Sequence, residues 1–348
     1  MKKYQVSENF GKDHHAGSKA KNDAVAILDT LGFEELSVRH MGSQPGLIAK
    51  ISRQVLSFLS WTTLKYRVED NAILIRQNPF HNRQLGRRSA LKYLKEKKHT
   101  YMISLVHDVE LIRHESHPEN FQNEFDEMIE FADKLIVHNS KMKQWFLDYG
   151  VPEEKLVVLK IFDYLLPSNF EKDIHYSKNI YIAGNLSKDK SPYVHQLKNL
   201  TDLNFKLMGI NYEPDTESPN IDYLGSFAPD DVPNQLTDGF GLVWDGDDIV
   251  TCSGLTGNYL RYNNPHKLSL YLASGIPVIV WKESAEADFV LENGVGIAVD
   301  SLHDLGPILE TLTEEAYFRI VKNVRKISTR IQTGQYLKEA VEEILDNT

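Results

Sequence analysis

A single cysteine, Cys252, stands in the 348 residues. No intramolecular disulfide can form, and no cysteine-based zinc cluster can be built. Long apolar runs are missing as well, and nothing approaches the roughly 20 residues that a membrane-spanning helix needs. The amino terminus, Met-Lys-Lys-Tyr-Gln-Val-Ser-Glu-Asn, is basic, but no apolar core of signal-peptide length follows it. A reducing cytoplasm is therefore the expected compartment. Excess positive charge is lacking too. With 39 Lys and Arg against 49 Asp and Glu, the formal charge is −10, which argues against general nucleic-acid binding, since neutralising phosphates takes a basic surface. No repeat of solenoid period is visible.

What is present is a globular composition, 41% hydrophobic and 25% charged. The chain is long for one core and favours two domains. Short β-rich runs alternate with amphipathic helical patterns, the signature of parallel sheets covered by helices. The first helix is predicted with Ser18 as its cap, Ala20, Ala24, Ile27, Leu28 and Leu31 as its apolar stripe, and Gly32 at its end. Strands are expected at Ala72–Arg76 and Tyr101–His107, with a helical repeat at Phe125, Met128, Ile129 and Ala132. The run from Ala132 to Asp163 reads as a buried strand at Leu135–His138, then a helix capped by Ser140. Gly150 turns the chain into a strand at Leu156–Leu159. Tyr164–Ser177 reads as a linker. Further strands are expected at Asn179–Ala183, Phe205–Met208, Phe240–Trp244, Ile276–Trp281 and Val295–Val299. The last helix carries Leu337, Val341, Ile344 and Leu345 on one face. A local basic run holds Arg83, Arg87, Arg88, Lys92, Lys95, Lys97 and Lys98. It reads either as a solvated helix face or as a docking surface for anionic lipid or an acidic protein.

The segment richest in chemistry runs from Gly239 to Trp281. A strand at Phe240–Trp244 leads into a polar loop. Asn264 is a suitable N-cap, and Pro265 suits the first helical position. His266 and Lys267 then fall in the first turn of a helix, whose open N–H groups and dipole favour a phosphate. Lys267 adds a point charge. Ligands of parallel α/β sheets sit beyond the carboxyl ends of the strands, and this loop has that position. An ordinary surface helix start carrying a lysine is the plainer alternative. Asp245, Asp247 and Asp248 could hold Mg²⁺, but a solvated loop is the preferred reading. Gly254 and Gly257 would let that loop close over a substrate or simply leave it loose.

"GFGLVW", "HKLSLYLASGIPVIV" and "VLENGVGIAV" resemble the glucosyltransferases that perform the second step in glycosylating bacterial serine-rich-repeat adhesins. "YNNPHK" is also similar to bacterial galactofuranosyltransferases. The likeness is specific over Gly239–Val299 and weaker elsewhere. It implies an α/β fold of the GT-B type, two Rossmann-like domains facing a central cleft. Residues 1–165 would form the acceptor domain and 166–330 the nucleotide-sugar domain, with a carboxyl-terminal helix at about 330–348 returning to the first. The resemblance places the UDP diphosphate at Pro265, His266, Lys267, Leu268, Ser269 and Leu270. It places the nucleotide against the turn Phe227-Ala228-Pro229-Asp230, through Phe227 and Asp230, and against Lys188 after Gly184-Asn185. Two departures matter. Phe227 stands where a tyrosine is expected, and the positions of two glutamates in many retaining enzymes of this fold fall near Tyr262 and Leu270, neither acidic.

The amino-terminal domain would hold the acceptor. The loop Glu8–Ser18, with Gly11, Asp13, His14, His15 and Gly17, can reach the cleft, and Ala16 and Gly17 are set with the UDP-sugar. An inverting transferase needs a base to take the acceptor hydroxyl proton. Asp108 is the first candidate and His107 the second; a turn pair holding the strand end is the alternative. Asn78, His81, Asn82, His138 and Asn139 also fall at strand ends.

The expected activity is transfer of glucose from UDP-glucose, or of another UDP-hexose, to a GlcNAc-modified serine-rich adhesin. Galactofuranose transfer to a cell-surface polysaccharide, a non-catalytic subunit of a transferase complex, and a sugar-nucleotide epimerase are the alternatives. No metal or cofactor is expected, the UDP-sugar being a substrate. The resemblance also implies a homo-oligomer.

Overall fold

The computed structural model describes residues 1–9, 16–39, 46–80, 83–113, 119–168, 170, 172–213 and 218–347, with the side chains of 9 and 16–18 excepted. The chain forms two compact units. One comprises 1–138, 143–159 and 337–348; the other comprises 139–142 and 160–336.

The first unit contains β1 (Lys3–Asn9), α1 (Ala16–Thr30), β2 (Glu34–Arg39), α2 (Leu47–Arg67), β3 (Ile73–Asn78), α3 (Arg87–Lys97), β4 (Tyr101–Val106), α4 (Glu110–Arg113), α5 (Glu119–Phe131), β5 (Lys134–Val137), most of α6 (Ser140–Tyr149) and β6 (Leu156–Val158). Its sheet is parallel, in the order β2-β1-β3-β4-β5-β6. Central strands buried on both faces need continuous apolar runs. Ile73, Leu74, Met102, Ile103, Leu135 and Ile136 supply them, all buried.

Several local expectations shift. Helix α1 starts at Ala16, so Ser18 lies inside its first turn and is not the cap. Ala24, Ile27 and Leu28 are buried, and the Phe33 amide returns to the Leu28 carbonyl as the chain turns at Gly32. Asn139, not Ser140, caps α6. Its Oδ1 accepts the Met142 amide at 2.9 Å, because a residue before the helix can reach the third N–H and Ser140 is already helical. β1, β2, α2 and a later strand at Ile221–Gly225 were not foreseen. In α2 large apolar residues occur on more than one face, which blurs a 3.6-residue stripe.

The second unit contains β7 (His175–Asn185), β8 (Asn204–Ile210), β9 (Ile221–Gly225), α7 (Val232–Gln235), β10 (Asp238–Val243), α8 (Gly254–Tyr259), α9 (His266–Ala273), β11 (Val278–Trp281), α10 (Ala287–Asn293), β12 (Gly296–Val299), α11 (Leu305–Thr311) and α12 (Glu314–Gln332). The final helix, α13 (Gln335–Asp346), joins the first unit from Leu337 onward, and Leu337, Val341 and Ile344 are buried. The second sheet is parallel in the order β12-β11-β10-β7-β8-β9. Strands spread one way from β7 to β8 and β9, and the other way through β10. The order therefore reverses between β7 and β10, where a doubly wound sheet opens a crevice beyond its strand ends. Helix α9 packs flat on this sheet because Gly241 has no side chain. A Cβ there would lie 2.0 Å from the Tyr271 ring. The Tyr271 hydroxyl accepts the Ala183 amide at 2.8 Å and ties α9 to β7.

Candidate active site

The reversal point of the second sheet lies between the exits of β7 (Gly184-Asn185) and β10 (Trp244-Asp245). The chain re-enters the sheet through α9, so the amino-terminal end of α9 sits at the same edge. The cap residue is Pro265, with φ −68° and ψ 135°, rather than Asn264. Asn264 is drawn elsewhere: its Nδ2 donates to the Lys160 carbonyl at 3.0 Å, and its Oδ1 accepts from Asn139 Nδ2 at 2.7 Å. His266 and Lys267 are the first two helical residues. Lys267 Nζ donates to the Trp244 carbonyl at 2.8 Å and lies 3.3 Å from Asp245 Oδ2. An ammonium is thus fixed at the exit of β10, beside the reversal point, with both partners only partly exposed.

Leu268, Ser269 and Leu270 are buried. The Ser269 hydroxyl donates to the Phe162 carbonyl at 2.7 Å, so these three side chains hold the helix to its support. The His266 ring packs against Phe162 and Tyr164, with centroids 5.2 and 6.1 Å away. The Tyr164 hydroxyl in turn donates to the Pro229 carbonyl at 2.7 Å. The segment around Phe162 and Tyr164, read from sequence as the edge of a linker, therefore joins the start of α9 to the Phe227–Asp230 turn. Phe227 is half-buried and Asp230 exposed. Lys172 Nζ donates to the carbonyls of Pro233 and Leu236, gripping α7 just after that turn, and burial lowers its pKa to about 7.

Lys188 is exposed in the turn after β7. That turn is closed by Ser191 Oγ donating to the Asn185 carbonyl at 2.8 Å. The residues after it reach the β10 exit loop, where Gln196 Nε2 donates to the Asp247 carbonyl at 2.6 Å. The structure thus groups α9, the 227–230 turn and the 245–248 loop into one edge, with Lys188 on the adjoining turn. The 245–257 loop is not loose. A Cβ at Gly257 would lie 2.5 Å from the Cys252 backbone, so glycine is needed for close packing. Its acids are engaged locally: Asp245 faces Lys267, and Asp248 Oδ1 accepts the Val250 amide. Among the described residues no group of three or more His, Cys, Asp and Glu converges as metal ligands would. Burial pushes the Cys252 thiol up, which removes it as a nucleophile.

In the first unit, His107 and Asp108 follow β4 and are partly exposed. His107 Nε2 is 2.8 Å from Gln77 Oε1, while Gln77 Nε2 donates to the Lys21 carbonyl. That orientation makes Nε2 the protonated nitrogen and leaves the basic lone pair on Nδ1. Asp108 lies 3.8 Å from Arg113. Nearby, Lys21 Nζ bridges Glu8 and the Pro79 carbonyl, and Gln84 reaches Glu8. His138 is buried against the Val106 carbonyl, and Asn78 lies 3.5 Å from Glu124. Ala16 and Gly17 begin α1. Gly11, Asp13, His14, His15, His81 and Asn82 lie outside the described residues.

The descriptions "Glucosyltransferase 3-like, N-terminal domain" and "Glucosyltransferase 3-like, C-terminal domain" match residues 3–161 and 180–344. The chain belongs to the glucosyltransferase 3-like family. It is a glycosyltransferase. The chain is 32% identical to the beta-1,6-galactofuranosyltransferase WbbI of Escherichia coli (strain K12), over 97% of both chains. It is 29% identical to glucosyltransferase 3 of Streptococcus gordonii, over 94% of both. Solved structures place the fold as GT-B. Sucrose-phosphate synthase from Thermosynechococcus elongatus matches with a TM-score of 0.63 at 9% identity, covering 100% of both chains. The lipopolysaccharide outer core galactosyltransferase WaaB matches with a TM-score of 0.60 at 12% identity, again over 100% of both.

Within this glucosyltransferase 3-like chain, one group escaped sequence reasoning. Glu286 follows β11 on the same sheet edge and is 2% exposed. Neither carboxyl oxygen has a hydrogen-bond partner among the described residues, nor does the buried Ser284 hydroxyl or Asn263 Oδ1. Burial pushes the Glu286 carboxyl well above its ordinary value, and the Lys267 charge partly opposes that. The two loops that carry these groups are joined by the Ala285 amide on the Leu260 carbonyl and by Arg261 on Glu283. Buried polar atoms left without partners are rare in native proteins, and each calls for a cause. No periodicity or motif in the sequence flags Glu286, because its burial comes from the packed fold and not from its own segment.

Proposed function

We propose that the chain transfers a hexose from a UDP-sugar to a sugar hydroxyl of an already glycosylated acceptor. The observation carrying this reading is Lys267 at the start of α9, fixed at the strand-order reversal, where a helix end and an ammonium together favour a diphosphate. The acceptor oxygen attacks the anomeric carbon as the bond from that carbon to the phosphate oxygen breaks. UDP departs with the electron pair, and the acceptor proton passes to a base, Asp108 or His107. Lys267 and the α9 amides stabilise the charge developing on UDP. Pro265, His266, the Phe227–Asp230 turn, Lys188, and Ala16 with Gly17 hold the donor. No step of this scheme draws on a metal.

Galactofuranose is the first reading for the donated sugar, on a cell-surface polysaccharide. It is supported by 32% identity across 97% of the Escherichia coli galactofuranosyltransferase. Glucose transfer to a GlcNAc-modified serine-rich protein is the second reading. The family descriptions and two streptococcal glucosyltransferases favour it.

The deciding experiment offers UDP-galactofuranose and UDP-glucose to galactoside and GlcNAc-peptide acceptors, with Lys267→Ala as control. Galactofuranose transfer lost in the control supports the first reading, and glucose transfer to the peptide moves the chain to the second. UDP binding without turnover of any sugar would sink the enzyme claim in favour of a partner subunit.

A further inference from the structure

The loop after β11 carries two acids in opposite situations. Glu283 is exposed and paired with Arg261. Glu286 is 2% exposed and stands between buried Ala285 and Ala287. The usual reasons for burying an acid do not apply to it. Among the described residues its carboxyl accepts no hydrogen bond, not even from the amides of α10, whose cap residue it is, and no cluster of metal-ligating side chains forms. Burial without a partner costs stability. A group held in that state, where the fold gains nothing from it, points to a ligand contact.

Two further buried polar atoms share this situation, the Ser284 hydroxyl and Asn263 Oδ1. The Ala285 amide donates to the Leu260 carbonyl at 2.8 Å. That bond ties the loop of Ser284 and Glu286 to the segment that runs through Asn263 into α9. The same segment delivers Lys267, whose charge reaches the Glu286 carboxyl. Hexose hydroxyls suit this group of atoms. A carboxyl offers two oxygens, the Ser284 hydroxyl both donates and accepts, and the Asn263 amide oxygen accepts. Adjacent sugar hydroxyls can each donate and accept, so they satisfy all three together. Strand order separates the two ends of a donor. Lys267 is fixed at the exit of β10; Lys188 follows β7 on one side of β10, and Glu286 follows β11 on the other. A diphosphate at Lys267 with its nucleoside toward Lys188 turns its hexose toward Glu286.

We propose that Glu286, with Ser284 and Asn263, receives the hydroxyls of the transferred hexose and selects which UDP-sugar the protein uses. The inference rests on the diphosphate reading of Lys267 and adds the residues that tell one hexose from another. A site built to bond a hydroxyl discriminates against a sugar that places it elsewhere, because the buried groups of the site then stay unpaired. A hydroxyl on the carboxyl also offsets what Glu286 costs the free protein.

The test is calorimetric titration of UDP, UDP-glucose and UDP-galactofuranose into the full chain, as wild type and as Glu286→Gln, Ser284→Ala and Lys267→Ala. Wild type is expected to bind one of the two sugars better than the other. Glu286→Gln should keep UDP affinity within about twofold and weaken the preferred UDP-sugar about tenfold, the loss of one charge-assisted hydrogen bond. The preference between the sugars should flatten with it. Ser284→Ala should act in the same direction by a smaller factor, and it decides the matter if Glu286→Gln does not fold. Equal affinity of wild type for both sugars overturns the proposal, as does a sugar preference that survives both variants. An equal loss for UDP alone overturns it too, by placing the ribose at Glu286. Lys267→Ala separates the two levels. UDP binding that survives this change removes the diphosphate reading and this inference with it. UDP binding lost there, with sugar preference kept in Glu286→Gln, overturns the inference alone.

Discussion

Lys267 Nζ sits 2.8 Å from the Trp244 carbonyl oxygen and 3.3 Å from the carboxylate of Asp245, its hold at the exit of β10. An incoming diphosphate would meet an ammonium already in place and exchange one anionic partner for another. Lys267→Met is expected to lower kcat/KM by about 10²–10³, as loss of one preorganised donor does. Asp245→Asn keeps the ammonium and removes its competitor, so UDP should bind at least as tightly as in wild type. Calorimetric titration of UDP, with steady-state kinetics, checks both; equal UDP affinity in Lys267→Met and wild type would move the diphosphate away from α9.

Glu286 gives a pH signature. Its carboxyl is raised by burial, so the folded state binds the proton more tightly than the unfolded state does. The contribution to stability is fully present below the unfolded value of about 4.3 and is lost as pH rises toward the folded one. Glu286→Gln removes that dependence. The variant should be more stable than wild type at neutral pH, with the gap closing as pH falls toward about 4.3. Melting curves across this range test it, and a gap independent of pH would refute it.

Arg87 is a stability residue rather than a docking one. It is buried between Glu124 and Glu127, and burial raises the Glu127 carboxyl. Arg87→Met strands those carboxyls and should cost about 3–5 kcal/mol in urea unfolding. Adding Glu127→Gln to Arg87→Met should recover part of the loss, since one stranded charge is removed.

The base is testable by pairing two variants. Asp108→Asn is expected to lower kcat by about 10²–10⁴, the range for loss of a general base. His107→Gln should do so only if Nδ1 of His107 is the acceptor of the proton. Comparing the acidic limb of the two pH–rate profiles separates them: the variant that abolishes the limb carries the base.

Local chemistry made much of this protein readable from its residues alone. The α/β alternation, the buried runs at Leu135–Val137 and Val278–Val280, the glycine turns after α1 and α6, and a helix starting at His266–Lys267 depend on neighbours a few positions apart. The tertiary structure decided what depends on distant partners. Asn264 gave up its capping role to Lys160 and Asn139, and Tyr164 reached Pro229 to join a supposed linker to the donor edge. Glu286 lost its solvent, and α2 left large apolar residues exposed. A hydrogen bond or a burial between residues distant in sequence, 65 positions apart for Tyr164 and Pro229 and 125 for Asn139 and Asn264, leaves no periodic trace, because the energy that fixes it belongs to the packed fold and not to the segment.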